Sequence, residues 1–271
     1  MSRLSNAWRA FLERRFVRGT PPASLNALQE AFCEWNAERL GISIEESRTR
    51  FRRSWAALRG GHGGHHFKRY AELHEQVCSP FWASSRAEVA DAYAAHDPIQ
   101  FLRLLSYPEA DPGAWPELSE LESRDDVCIV DFGCGLAHLS RALAGRIRAR
   151  GRSVALFLAD LPLQQFRFPR WYCARAGLTA EFAECTPERP IPPLPRCDLC
   201  IATEVLEHVH EPEPYLAALA ESVKPGGWLL THLGVHGNEF LHVSPDLRPL
   251  ADSLVEQGWT AVRPPRLYRK A

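Results

Sequence analysis

From residue 127 onward the chain repeats one pattern: a short continuous run of apolar residues, then a stretch with helical spacing. The runs are VCIVDF (127–132), VALFLAD (154–160), LTAEFAE (178–184), CDLCIAT (197–203) and GWLLTHL (227–233). Between them lie HLSRALAGRIRARG, QFRFPRWYCARAG and PYLAALAESVKPG. Strands apolar on both faces are stable only in a sheet that is covered on both sides, and intervening helices let successive strands run parallel. The pattern therefore predicts an α/β fold with a doubly wound parallel sheet. In such sheets ligands bind beyond the carboxyl ends of the strands, near the switch point, so residues at the ends of these runs are the first functional candidates.

Residues 1 to about 107 have a different character: apolar residues at helical spacing and few strand runs. Leu25, Leu28, Phe32 and Trp35 form one stripe, and Phe51, Trp55 and Leu58 another. Ser43 followed by Glu46 predicts a capping box at the start of the second helix. That helix carries Arg48, Arg50, Arg52, Arg53 and Arg59, a face suited either to solvent or to phosphates. GGHGGHHF (60–67) is a glycine-rich hinge, SSRAEVADAYAAH and DPIQFLRLLSYP predict two more helices, and the Pro-, Gly- and acid-rich stretch 108–126 predicts a linker. The expected division is an all-helical extension over 1–115, covering the substrate side or serving oligomerisation, and an α/β domain over 116–271.

With 271 residues and a net charge of -1, nothing in the overall charge favours nucleic acid or an anionic membrane as partner. No apolar run reaches the roughly 18–20 residues of a membrane span, and the first residues lack the apolar core of a secretory signal. The eight cysteines are scattered through apolar runs, as reduced buried thiols are, and Cys197-x-x-Cys200 has no second pair to complete a zinc site. A cytoplasmic protein is expected.

VDFGCGLAHLS (130–140) sits at the carboxyl end of the first run and opens a helix. Gly133 and Gly135 permit torsions and a close ligand approach that a Cβ obstructs. A dinucleotide fingerprint needs a third glycine where His138 stands, and Asp131 would repel a pyrophosphate, which disfavours a dehydrogenase. A cationic ligand suits Asp131. Asp160, at the end of the second run, is placed to accept from two ribose hydroxyls. S-adenosylmethionine (SAM), with its sulfonium and ammonium, fits both.

VDFGCG, LAD, CDLCIATEVLEHV and LAESVKPGGWLLTH, in that order over residues 125–263, resemble the class I SAM-dependent methyltransferases. The resemblance implies a Rossmann-like sheet, with Asp131, Gly133 and Gly135 lining the methionine and ribose side of the cofactor. It also implies that Asp160 holds the ribose diol, that Cys185 and Thr186 flank the adenine, and that Thr203 and Glu204 stand beside the methyl-donor pocket. Ala137 replaces the loop's third glycine, and Glu184 lies earlier than the carboxylate that often faces the adenine amino group.

TEVLEHVH (203–210) packs two carboxylates and two imidazoles into eight positions. On a helix, Glu204, Glu207 and His208 stand at i, i+3 and i+4 on one face, able to meet a hard cation such as Mg²⁺ or Mn²⁺. Glu-x-x-Glu-His also resembles the metal motif of methyltransferases that modify the 3′-terminal 2′-hydroxyl of small RNAs. Beyond the fifth run, His232, His236, Glu239 and His242 offer a further ligand, with His242 taken as the fourth. Without metal, His208 or His232 is the candidate general base. The leading expectation is methyl transfer from SAM to an oxygen or nitrogen of a small molecule. The alternatives are a metal-dependent RNA 2′-O-methyltransferase and a methyltransferase-like scaffold without activity.

Overall fold

The computed structural model describes residues 24–59, 85–105, 110–236 and 242–271. The chain divides into two compact units, Met1–Glu75 and Gln76–Ala271. The division falls well before residue 115, so the helix that follows residue 85 belongs with the sheet. The GGHGGHHF hinge lies outside the described residues.

In the first unit, α1 (Ala27–Leu40) opens on a capping box: Asn26 Oδ1 accepts from Gln29 N at 2.8 Å, and Gln29 Oε1 accepts from Asn26 N at 3.1 Å. α2 (Ile44–Arg59) starts where the Ser43 hydroxyl accepts from Glu46 N. The two helices meet through Phe32 and Phe51, whose ring centroids are 5.5 Å apart, with Leu28, Trp35 and Trp55 buried around them. The arginine face of α2 is partly compensated. Arg48 pairs with Glu30 and Glu45, Arg50 with Glu46, and Arg52 lies 3.9 Å from Glu45. Three of its five arginines are thus engaged with carboxylates, which weakens the feature that pointed to phosphates.

The second unit begins with α3 (Arg86–Leu104), a single helix where the sequence suggested two. It runs through Pro98, which costs a hydrogen bond. Contacts on both sides of the proline hold it: Val89 packs with Val243, and Phe101 meets Phe168 at 5.9 Å.

Among the described residues the sheet has seven strands in the order β3-β2-β1-β4-β5-β7-β6. The first five are β1 (Val127–Phe132), β2 (Val154–Asp160), β3 (Thr179–Glu184), β4 (Cys197–Ala202) and β5 (Val223–Thr231), all parallel. The last two, β6 (Thr260–Arg263) and β7 (Leu267–Arg269), are antiparallel to their neighbours. The strand order reverses at β1, so the crevice between β1 and β4 is the switch point. Between strands run α4 (His138–Ala149), α5 (Gln164–Arg175), α6 (Pro212–Ser222) and α7 (Arg248–Glu256).

Alternation along each strand builds a core on each face. Ile129, Leu156, Leu158, Leu199 and Ile201 pack with Leu143 and Ile147 of α4 and Phe166 of α5. Val130, Phe132, Cys200, Ala202 and Leu229 pack with Leu216 and Leu219 of α6 and Leu254 of α7. The cysteines of the described residues are free, and most are buried, as the scattered pattern implied.

The expected linker is instead part of the core. Pro112–Ala114 and Pro116–Ser123 are 3₁₀ helices, with Leu118 and Leu121 buried among the apolar residues of α4 and β1. Its acids, which suggested exposure, are clamps. Buried Glu122 takes Arg146 at 2.8 Å and Arg150 at 2.6 Å, and Glu120 accepts from the Trp228 indole at 2.9 Å. Replacing Leu121, fully buried, by Ala is expected to cost about 2–5 kcal/mol in urea unfolding, where a linker residue would show almost none.

Candidate functional site

The loop after β1 and the end of β2 are tied together. Asp160 Oδ2 accepts from Gly135 N at 2.6 Å, and its Oδ1 accepts from Leu161 N at 2.7 Å. The backbone of Gly133 and Cys134 also donates to Ala159 O, and Cys185 N donates to Asp160 O at 2.8 Å. Three strand ends thus meet at Asp160, the β1 loop at its carboxylate and β3 at its backbone carbonyl.

Gly133 adopts φ +66°, and a Cβ there would lie 2.5 Å from Val205 Cγ2. The sequence suggested ligand approach as the reason for this glycine. The structure gives a more immediate one: the TEVLEH segment packs directly against it. At Gly135 a Cβ would meet Leu104 of α3 at 3.3 Å, so α3 lies over the loop.

Asp131 is buried and turned toward α4, where the Ser140 hydroxyl donates to its Oδ2 at 2.5 Å. Burial pushes its carboxyl up to about 7; the Ser140 bond opposes this and the Asp160 charge adds to it. Two acids therefore share a small volume around Cys134, whose thiol burial holds well above its ordinary value. His138, at the start of α4, is pushed down to about 4 by burial and is neutral. Cys185 is buried and kept a thiol by desolvation, while Thr186 closes a tight turn with Arg189.

TEVLEHVH is not the helical face that its spacing suggested. β4 ends at Ala202, Thr203 and Glu204 are exposed, and Glu204 is left-handed at φ 55°. A 3₁₀ turn, Leu206–His208, follows. A non-glycine residue in this region carries strain of about 1–2 kcal/mol, a feature that concentrates at functional positions. The strain sends the two carboxylates different ways. Glu204 reaches out to His232, with Oε1 3.3 Å from Nδ1. Glu207 is driven inward to 1% side-chain exposure, and burial raises its carboxyl to about 8.

His232 directly follows β5, and the described residues 232–236 and 242–247 together form a strap. The strap is fixed by Val243 N and Ser244 N donating to Glu207 O, and by Leu247 N donating to Gly234 O. It brings His236 and His242 over the buried Glu207. The close groups are Glu204–His232–His236 and Glu207–His236–His242. The expected cation set Glu204, Glu207, His208 and His242 is thus regrouped, because no α-helix puts the first three on one face. His208 remains near, with Nε2 3.9 Å from Glu207 Oε1 and its ring 4.7 Å from that of His242. His236 was only one donor among several in the sequence; its central place depends on the strap, which no local pattern encodes.

A doubly wound sheet with this strand order, and with acids at the ends of two adjacent central strands, defines a Rossmann-like α/β protein with its ligand crevice at the β1 switch point. Residues 91–260 match the family model described as a methyltransferase domain, more than half of the chain. The chain belongs to that family and, with it, to the class I SAM-dependent methyltransferases. It is 31% identical over 102 residues to the ubiquinone biosynthesis O-methyltransferase of Cereibacter sphaeroides, covering 38% of this chain and 39% of that one. It is 33% identical over 101 residues to that of Stutzerimonas stutzeri, covering 36% and 40%. The match spans about two-fifths of the length of these curated relatives. A solved structure described as a pericyclic reaction enzyme shares the fold at 12% identity, with a TM-score of 0.53 over 99% of this chain and 86% of that one. No helix among the described residues is long and apolar enough to cross a membrane.

The Asp131 carboxyl yields a stability prediction for the ligand-free protein. Folded, it keeps its proton to about pH 7; unfolded, it loses it near 3.8. Between these values the unfolded chain binds fewer protons, so stability falls as pH rises, by at most about 1.4 kcal/mol per pH unit from this group. Urea unfolding at pH 5 and 7.5 should show Asp131→Asn losing that part of the fall.

Proposed function

We propose that this chain transfers a methyl group from SAM to an oxygen, or alternatively a nitrogen, of a small-molecule acceptor, with Glu204 and His232 as the acid–base pair. The observation that carries the reading is the placement of this pair. It stands at the open ends of β4 and β5, in a chain whose β1 loop packs on Val205, the residue after Glu204.

The cofactor fits what the chain provides. Asp131 and Asp160 put two buried acids around one loop, and burial makes Asp131 costly to ionise, a setting that a cationic ligand relieves. SAM when bound supplies an electrophilic methyl group on a sulfonium. Asp160, which holds Gly135 and Leu161, is the carboxylate assigned to the two ribose hydroxyls. Asp131, Gly133 and Gly135 border the methionine and ribose, Cys185 and Thr186 border the adenine, and Thr203 stands at the donor side. Asp131 ionises more readily beside a cation, so SAM affinity rises as pH increases through about 7.

Methyl transfer is an in-line displacement in which positioning supplies much of the rate, and a hydroxyl acceptor must also lose a proton. Burial and the neighbouring His236 and Arg266 lower the His232 pKa, keeping the imidazole neutral and able to accept. Glu204 accepts a hydrogen bond from Nδ1–H, which leaves Nε2 as the basic nitrogen. Gly234 makes room for that nitrogen, since a Cβ there would lie 2.9 Å from it. The relatives named as O-methyltransferases favour oxygen as the acceptor atom. The partly compensated charge of α2 favours a small molecule over RNA.

The test is label transfer from methyl-tritiated SAM to a panel of phenolic, alcoholic and amine acceptors. His232→Ala is expected to lower kcat by about 10²–10³-fold, with SAM affinity unchanged within about threefold. Gly234→Ala should lower kcat in the same direction by displacing the ring. A folded, SAM-binding protein that labels none of the acceptors would favour the scaffold reading instead.

A further inference from the structure

We propose that Glu207, His236 and His242, with His208 as a further donor beside them, form a largely enclosed site for a borderline divalent cation of the zinc type, separate in role from the Glu204–His232 pair. The site does not depend on the methyl-transfer reading, because its occupancy is measured directly.

The argument begins with a lone-pair conflict. His236 Nε2 lies 3.2 Å from His232 O. A carbonyl only accepts, so Nε2 carries the hydrogen, and in neutral imidazole Nδ1 is then bare. That bare nitrogen lies 3.5 Å from Glu207 Oε1. Neither Glu207 oxygen has a hydrogen-bond partner of good geometry among the described residues, and both are buried. Two electron-rich acceptors facing one another in a dry interior need something positive between them. A proton, on Glu207 or on His236 Nδ1, is one solution and a metal ion is the other.

The surroundings favour the metal. One ligand atom from each of Glu207, His236 and His242 lies within 4.8 Å of the others, and these residues are 1%, 7% and 5% exposed. His208 Nε2 lies 3.9 Å from Glu207 at the edge of this group and is a further donor beside it. Three buried protein donors, with the half-buried His208 beside them, describe a largely enclosed structural centre. The hydrogen bond from His236 to a backbone carbonyl is the outer contact that usually orients a metal-bound imidazole.

The donor set also decides the class of ion. Mg²⁺ prefers oxygen ligands, keeps several waters and requires an octahedral shell. A dry site with one carboxylate and two or three imidazoles is a poor match to it and a good one to Zn²⁺. Glu204, exposed and engaged with His232, stays outside the centre. Bound there, the ion would fasten the strap onto the turn after β4, so that the acid–base pair is held on a fixed frame.

Untagged full-length protein, stripped with a chelator and confirmed folded by circular dichroism, is titrated with Zn²⁺, Co²⁺ and Mg²⁺. Bound metal is quantified by mass spectrometry. The expected result is one tightly held Zn²⁺, visible Co²⁺ bands of tetrahedral strength, and no Mg²⁺ retention. Glu207→Gln and His242→Ala should each weaken Zn²⁺ binding at least about 100-fold, with Glu204→Gln within about threefold of wild type. Because the core variants can fail to fold, the wild-type Co²⁺ spectrum stands as an independent readout. The proposal is overturned by folded apoprotein that binds no Zn²⁺, which would leave a proton as the solution. Mg²⁺ binding that requires Glu204 would overturn it as well. So would Zn²⁺ that persists unchanged in folded Glu207→Gln and His242→Ala, held by histidines elsewhere.

Discussion

The hydrogen bonds from Gly135 N and Leu161 N to Asp160 are the contact on which the ligand crevice depends. The loop after β1 has to turn sharply at the switch point, and its left-handed torsions at Gly133, Gly135 and Ala137 are held only if its amides find acceptors. The end of the neighbouring strand meets that need, the Ala159 carbonyl for Gly133 and Cys134 and the Asp160 carboxylate for Gly135. Because β3 is tied to the same residue through Cys185 N, three strand ends are fixed relative to each other before any ligand arrives. Asp131, buried behind the loop, adds a second acid that burial makes costly to ionise and that a cation would stabilise.

The far wall of the crevice is built by division of labour within one short segment. The left-handed backbone at Glu204 turns the chain so that Val205 wedges against Gly133 while Glu204 and Glu207 point to different environments. One carboxylate is exposed beside an imidazole, a setting for proton transfer. The other is buried among imidazoles, a setting for a proton or a metal ion. The strap after β5 serves both, since His232 belongs to the first group, His242 to the second and His236 to each.

The parallel sheet was legible in the sequence because its strands are apolar on both faces, so that VCIVDF and VALFLAD coincide with β1 and β2. The final hairpin was not. β6 is mostly exposed and β7 has only three residues, so neither offers an apolar run or a clear alternation. Composition misled at 108–126, where prolines and acids suggested a linker; the partners that make Glu120 and Glu122 structural, Trp228 and Arg146, lie distant in sequence. The aspartates and glycines of the crevice could be picked out because strand ends locate them. The grouping of Glu204, Glu207 and the histidines could not, since it follows from one strained torsion and from a strap whose placement is a tertiary effect.

The most direct measurement is titration calorimetry of the purified chain with SAM, with NAD as the control ligand, on wild type and Asp160→Ala. Micromolar SAM binding without NAD binding, weakened at least about tenfold in Asp160→Ala, is the result expected if the carboxylate both shapes the loop and meets the cofactor. Absence of SAM binding by the folded protein, or equal affinity in the variant, would contradict the assignment of this crevice.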